Sequence, residues 1–313
     1  MEAVWDLASC PHPRQGTVVT IGAYDGVHVG HRKLVEEVRS LAQARGAASA
    51  VVTFDRHPAQ VVRPDSAPKL LTDLDTKLEL LAHTGVDYTV VIRFDEKRSH
   101  EPARDFVQTA LVDCLNAKLV VVGHDFHFGH RRAGNVTLLR EMGPDAGFDV
   151  LGVDLFEEGT EAISSTRIRE ALAAGDVVAA TQLLGRPHQL RGPVISGDGK
   201  ARDLGFPTAN VAVPDEMCLP ADGVYAGWYQ CPDGSRYPAA ISIGTRPTFY
   251  ADGAVLVEAH LIDFRGNLYG QRGRIELEAY LRPQVKFDGV DALMAQMSRD
   301  VDRARRVMDP LTT

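Results

Sequence analysis

The chain has 313 residues, 44% of them hydrophobic and 24% charged, enough for one or two sizeable cores, and common domain sizes favour two. Its 34 Lys and Arg against 42 Asp and Glu leave a net charge of −8, which argues against broad nucleic-acid binding and leaves room for a local basic pocket. The first residues carry Glu2 and Asp6 and lack a basic flank with an apolar run, so no signal peptide is expected, and no apolar run is long enough to span a membrane. Cys10, Cys114, Cys218 and Cys231 form no CxxC pair; their sparsity suits a reducing cytoplasm and points away from a zinc ribbon or thioredoxin-type site. In chain order, TVVTIG at 17–22 reads as a buried strand, because a β-branched apolar run ends at a glycine. Residues 31–46 place Leu34, Val35, Val38 and Leu41 at helical spacing, with Gly46 as the stop. SAVVTF at 49–54, YTVVIRF at 88–94 and KLVVVG at 118–123 read as further strands, with helical stretches around 73–83 and 102–115. This alternation predicts an α/β domain with a parallel sheet covered on both faces, its ligands beyond the carboxyl ends of the strands.

After about Gly185 the pattern changes to short strand candidates between Gly, Pro and Asp turns: VISGDGKARD, TANVAVP, GVYAGWYQ, YPAAISIG, AVLVEAHLID and GRIELEAYL. A small antiparallel barrel is the expectation. Residues 290–308 gather Val290, Leu293, Met294, Met297, Val301 and Val307 near one face, predicting a helix packed on that barrel. Residues 183–192 read as a linker between domains 1–183 and 184–313.

Chemistry-bearing residues cluster at the predicted strand ends. GAYDGVHVGH at 22–31 follows a strand and opens a helix, where backbone N–H groups and the positive helix end favour an anion. Gly26 and Gly30 admit a phosphate close to the backbone, and His28 and His31, three apart, can act as donors to charge developing on it. A turn with two exposed histidines is the plain alternative. In ISSTRIREALAAG at 163–175 a serine caps a helix on which Ser165 and Arg169 share a face, suited to phosphate oxygens. In GHDFHFGHRRAGN at 123–135, Phe126 and Phe128 beside Asp125 suit a flat ring, or else are core aromatics. His124, His127 and His130 lack an acidic or Cys partner at ligand spacing, which sets a metal aside there. His57, in TFDRHP, reads as a turn residue.

GAYDGVHVGH, TFDRHP, GHDFHFG and ISSTRIR together resemble the FMN adenylyltransferase module of bacterial bifunctional FAD synthetases, within the nucleotidylyltransferase superfamily. The resemblance implies a Rossmann-like domain that joins FMN to the adenylyl group of ATP. It implies that His28 and His31 stabilise the transition state and that Gly22, Tyr24, Asp25, Gly26, Gly30, Ser165, Thr166 and Arg169 bind ATP and its phosphates. It implies flavin or nucleotide contacts for Phe54, His57, Asp125, Phe126, Phe128 and Asn135. Tyr24 stands where the family usually has Phe, and Arg56 where it often has Pro.

In the second half, SGDGKARDLGFPTAN at 196–210 offers Gly197 and Gly199 as a phosphate-cradling loop with Lys200 for charge. Pro207 stiffens the approach to Thr208 and Asn210, which point the same way along a strand and are hard ligands suited to Mg²⁺. Glu258, in an apolar strand on the side of Leu256 and His260, is a candidate general base; a partnered structural carboxylate is the alternative. Glu276 and Glu278 alternate with apolar residues and read as a solvated face. LGFPTAN, SIGTRPTF, VEAHLIDF, NLYG and LRPQVKFDGVDAL resemble the riboflavin kinase module, so that the likeness spans about 17–308. It implies a six-stranded barrel that makes FMN, with Gly197, Gly199, Lys200, Arg202, Gly205, Phe206 and Pro207 at ATP. Thr208 and Asn210 would hold Mg²⁺ and Glu258 would be the base. Ala201 stands where the family usually has Gly. The implied small molecules are ATP with Mg²⁺, riboflavin, FMN and FAD, in a cytoplasmic protein with no nucleic-acid or membrane partner and with a homo-oligomer left open. Two rival readings are an adenylyltransferase for another phosphomonoester and a flavin-binding regulator without turnover.

Overall fold

The computed structural model describes residues 1–154, 157–158, 161–197, 205–245 and 255–309. The chain divides into two compact units, Met1–Ser164 and Ser165–Thr313.

The first unit is a six-stranded parallel sheet. Its strands are β1 (Glu2–Trp5), β2 (Thr17–Ile21), β3 (Ala48–Phe54), β4 (Tyr88–Ile92), β5 (Ala117–Gly123) and β6 (Asp149–Val153), in the spatial order β1-β4-β3-β2-β5-β6. β2 is buried throughout and β3 along all but its last residue, which is why both read as continuous apolar runs. From β2 the chain builds outward through β3 and β4, then returns to β5 on the other side of β2. This reversal makes the β2/β5 boundary the topological switch point of a Rossmann-like sheet, where ligands of such folds bind. Helix α1 (Val29–Arg45) turns Val35, Val38 and Ala42 onto the sheet and ends at Gly46, whose φ of 61° is the left-handed cap. Helix α2 (Leu74–His83) is capped by Asp73, which accepts from Thr76 N at 2.7 Å. Helix α3 (Val136–Ala146) leads to β6. The stretch expected as one helix over 102–115 is an α-turn, Ala103–Phe106, running into a π-helix, Val107–Cys114. Cys114 on that π-helix forms a disulfide with Cys10 at 2.09 Å, a pair that cysteine sparsity in a reducing cytoplasm did not lead one to expect; 104 residues of sequence separation hide a contact made by the fold.

The second unit opens with helices α4 (Ser165–Ala173) and α5 (Val177–Leu184). Its strands are β7 (His188–Ile195), β8 (Ala209–Val211), β9 (Gly223–Gln230), β10 (Arg236–Thr245), β11 (Val255–Leu261) and β12 (Arg272–Arg282). They close an antiparallel barrel in the order β7-β8-β11-β10-β9-β12. Residues 183–192, read as a linker, carry the end of α5 and the start of β7. Leu183 and Leu184 finish α5, Gly185 caps it at φ 65°, and β7 pairs with β12 from His188 onward. His188 is 1% exposed and donates from Nε2 to the Cys218 carbonyl at 2.8 Å; burial pulls its pKa down to about 4. The C-terminal helix α6 (Val290–Met308) lies on β9, β10 and β12, where Ala304 and Met308 pack with Val224, Ala226, Ala240 and Leu281. Arg282 locks it with a forked pair to Asp300, at 2.9 Å through Nε and 2.6 Å through Nη2. No helix among the described residues is long and apolar enough to cross a membrane.

Candidate active sites

The loop after β2 is built under strain. Tyr24 and Val27 hold φ values of 50° and 38°, a region that bulky and β-branched residues rarely adopt, and Gly26 sits at 84°. What holds the loop is a set of buried polar contacts. Asp25, 5% exposed, accepts from the backbone of Leu71 at 2.9 Å and of Thr72 at 3.1 Å, and Gly26 N donates to Thr72 Oγ1 at 3.1 Å. The Tyr24 hydroxyl donates to Thr20 Oγ1 at 2.9 Å, and burial raises its pKa above the ordinary value of 10. Tyr24 and Asp25, expected at ATP and its phosphates, both brace the loop, Asp25 by accepting from the backbone of residues 71–72. Gly30 likewise serves the His28 ring, since a Cβ there would stand 3.3 Å from it.

His28 is buried and caps α1, its Nδ1 accepting from His31 N at 3.3 Å. That bond leaves the ring proton on Nε2 and fixes a neutral donor tautomer. His31 stacks on it with ring centroids 3.6 Å apart. Burial, then the neighbouring His28 and Lys77, lower the His31 pKa well below 6.5, so this ring is also neutral. Its Nδ1 is enclosed and has no hydrogen-bond partner among the described residues. Two neutral imidazoles at a helix start are an arrangement for stabilising negative charge without carrying positive charge.

Beside this loop lies a small cleft lined by Ala23, Asp25, Asp55, Arg56, His57, Leu70, Thr72, Leu74 and Lys77. His57 stands in its wall, its Nδ1 accepting from Ala59 N at 3.1 Å, while Phe54 packs edge-on against Phe94 at 5.3 Å. Lys77 was not anticipated. Its place three residues after Leu74 and four before Leu81, on the stripe that α2 turns inward, is the signal that sequence reading passed over.

After β5, Phe126 is half-buried and stacks on Phe128 at 5.4 Å. Phe128, 8% exposed, belongs to the core with Phe106, and a Cβ on Gly134 would press on its ring at 2.7 Å. Asn135 caps α3 by accepting from Leu138 N at 3.0 Å. Phe128 and Asn135, expected at the flavin or nucleotide, also pack the core and cap α3, while Asp125 is exposed. Ser165, Thr166 and Arg169 lie on α4, in the second unit.

In the barrel the site is made by register. Asn210 on β8 pairs directly with Glu258 on β11, and Glu258 with Ser242 on β10. All three are half-buried, on the face opposite the barrel-filling Val257 and Ala259. His260, two residues from Glu258, donates from Nδ1 to the Pro207 carbonyl at 2.9 Å and packs on Phe206 at 5.5 Å, fixing the segment that leads to Thr208. Gly197 leaves room for the Asn210 amide, since a Cβ would reach it at 2.4 Å. Gly205 holds a φ of 86°. Gly199, Lys200, Ala201 and Arg202 lie outside the described residues. A hydroxyl and an amide oxygen next to a carboxylate are hard donors that fit Mg²⁺. One expectation fails here: Glu276 is not a solvated residue, because it accepts from Arg236 and from Gln189 at 2.9 Å. Burial, then Glu276, raises the pKa of Glu278.

Two family models match, one described as FAD synthetase over residues 10–167 and one as riboflavin kinase over 184–308. A bifunctional riboflavin kinase/FMN adenylyltransferase of Escherichia coli K12 is 39% identical over 293 residues, covering 94% of this chain and 93% of its own. That of Pseudomonas fluorescens is 36% identical over 310 residues, 99% of both chains. A solved structure described as a macrolide-efflux protein from Streptococcus pneumoniae superposes with a TM-score of 0.85 at 29% identity, covering 97% of this chain and 99% of that one. With both modules matched in this order along nearly its full length, the chain belongs to the bifunctional riboflavin kinase/FMN adenylyltransferase family.

Proposed function

We propose that the two transfers of this family run here at separate sites, with Glu258 as base of the first and His28 and His31 as donors in the second. The chain is a transferase that phosphorylates riboflavin to FMN and adenylylates FMN to FAD, using ATP. In the first transfer Glu258 takes the proton of the ribityl hydroxyl as its oxygen attacks the γ-phosphorus, and ADP leaves. Thr208 and Asn210 would hold the Mg²⁺ that neutralises charge on the phosphates. In the second, an FMN phosphate oxygen attacks the α-phosphorus of ATP and pyrophosphate leaves, while His28 and His31 donate to the charge that builds up. The observation that carries this half is the enclosed, unpartnered Nδ1 of His31 against the stacked His28.

Roles for Ser165, Thr166 and Arg169 at the leaving phosphates, and for Gly199, Lys200 and Arg202 at the kinase ATP, rest on the motif resemblance. We take 1–183 and 184–313 as the functional modules, supported by the kinase match opening at residue 184 and β7 at His188. A cytoplasmic location, where ATP is supplied, and small-molecule partners alone complete the reading; cell fractionation and a nucleic-acid shift assay test them. The central test is incubation with riboflavin, ATP and Mg²⁺ and separation of the flavins. FMN followed by FAD is expected. Consumption of added FMN without conversion of riboflavin would sink the kinase assignment, and untouched ATP would favour a flavin-binding regulator.

A further inference from the structure

Lys77 is 6% exposed, yet it carries an ammonium group. Such a group is kept in a protein interior only where acceptors surround it. Here Nζ donates to the Phe54 carbonyl at 2.6 Å and the Ala23 carbonyl at 3.3 Å. Those carbonyls belong to different loops. Ala23 lies in the loop that leads to His28, the cap of α1, one turn before His31, and Phe54 ends β3 just ahead of the loop that carries Asp55 and His57 into the cleft. Thr53 Oγ1 adds a second bond to the Ala23 carbonyl at 3.2 Å. The geometry points to Lys77 as the positioning residue of the adenylylation site: its ammonium group clamps the ends of β2 and β3 and so sets the two histidine-bearing loops in register.

This inference rests on the adenylylation reading above. The strained backbone at Tyr24 and Val27 gives the clamp its importance, because a loop in such a conformation persists only where its surroundings hold it. The groups facing the ammonium are Asp25 from the first loop, Asp55 from the second and His31 from α1, with Arg56 and His57 in the same cleft wall. Burial lowers the Lys77 pKa to about 8, with Asp25 and Asp55 opposing that fall. A neutral amine is the weaker donor to both carbonyls, so the clamp loosens as pH rises through this value. Stability runs the opposite way. Between about 8 and the unfolded value of 10.5 the unfolded chain binds the proton that the folded chain has released, so this group favours folding more as pH rises. Activity should therefore fall over a range in which the cost of burying the Lys77 ammonium is being relieved.

The test measures FAD formation from added FMN, ATP and Mg²⁺ by full-length wild type and Lys77→Met, from pH 6.5 to 9.5. Riboflavin phosphorylation by the same preparations is the internal control. Wild-type kcat should show an alkaline limb near pH 8. Lys77→Met should lower kcat by about a hundredfold with little change in the KM for FMN, have no such limb, and phosphorylate riboflavin normally. Lys77→Arg, which keeps its charge, should recover part of the rate and stay flat to pH 9.5. A limb that persists in Lys77→Met, or a wild-type profile without one, would overturn the clamp. Should Lys77→Met fail to fold, the wild-type and Lys77→Arg profiles decide by the same criterion. A wild-type protein that makes no FAD from FMN would instead overturn the adenylylation reading itself.

Discussion

In the parallel sheet the candidate residues sit at strand ends, whereas in the barrel Asn210, Ser242 and Glu258 lie side by side in mid-strand. The difference follows from how each architecture exposes chain. A parallel sheet covered by helices hides its strands, so only the loops beyond their carboxyl ends can meet a ligand. Those loops must then be held by other means, here Asp25, Thr72 and Lys77. An antiparallel strand fills the barrel with every second residue and leaves the others to the outer face. Register alone then lines up an amide, a carboxylate and a hydroxyl. The sheet site therefore depends on buried polar ties, and the barrel site on strand pairing.

The largest effect expected from separating the two is at Glu258. Its replacement by Ala removes the proposed base while leaving the β8–β11–β10 pairing in place. FMN formation should fall by about a thousandfold, and added FMN should still become FAD at the wild-type rate. Assay of both reactions on one preparation checks this, and loss of both in a cooperatively melting protein would contradict two independent sites. His31→Ala is the converse. Loss of one donor to a developing oxyanion costs roughly 2.7–4 kcal/mol, so FAD formation should drop by about a hundredfold or more while FMN accumulates. Because His31 is held neutral, the wild-type rate should show no acid limb from this ring down to pH 6.5.

A smaller effect separates the units by stability. His188 has a folded pKa of about 4 against 6.5 for the free side chain. Between these values the unfolded chain takes up a proton that the folded barrel refuses, so stability is lost as pH falls from about 6.5 toward 4 and not further below it. The whole difference is worth about 3 kcal/mol. The melting temperature of the barrel should fall across that window, and His188→Gln, which can still donate to the Cys218 carbonyl, should flatten the fall. An unchanged slope would show that other groups govern the acid sensitivity.

Much of this was readable before the fold was known, and the limits have physical causes. TVVTIG, GVYAGWYQ and the helix at 290–308 match their observed elements within a residue or so, because burial on both faces, strict alternation and a helical stripe each leave a plain pattern. β1 left none: it is an edge strand with Val4 alone buried. The start of β7 went unseen because Arg, Pro and Gly within 185–192 mimic a loop, although β7 tolerates Pro193 at its pairing with Arg272. His28 and His31 were found because their chemistry is contiguous in sequence. Glu276 was misread, and the Cys10–Cys114 bond and the ties of Asp25 to residues 71–72 were missed, because the partners are distant in sequence, and Lys77 was missed because one lysine on an apolar stripe looks like noise.

The smallest expected effect bears on Phe126, where the sheet's double use of its loops is sharpest. In the barrel, filling residues and site residues alternate, so a side chain belongs to one set. In the loop after β5, Phe128 lies in the core and Phe126 is stacked on it, half-buried, at the switch point. If Phe126 offers its ring to the flavin, Phe126→Ala should raise the KM for FMN in adenylylation by three- to tenfold, the size of one aromatic contact of about 1 kcal/mol. The rate at saturation, riboflavin phosphorylation and the melting temperature should then stay near wild type, and Phe126→Tyr should restore KM. If the residue is only the outer layer of the core, the pattern inverts: the sheet unit melts earlier, KM is unmoved, and Tyr confers no rescue. Measuring KM and melting temperature on the same two variants separates the alternatives, because a contact with substrate and a contact with Phe128 act on different equilibria.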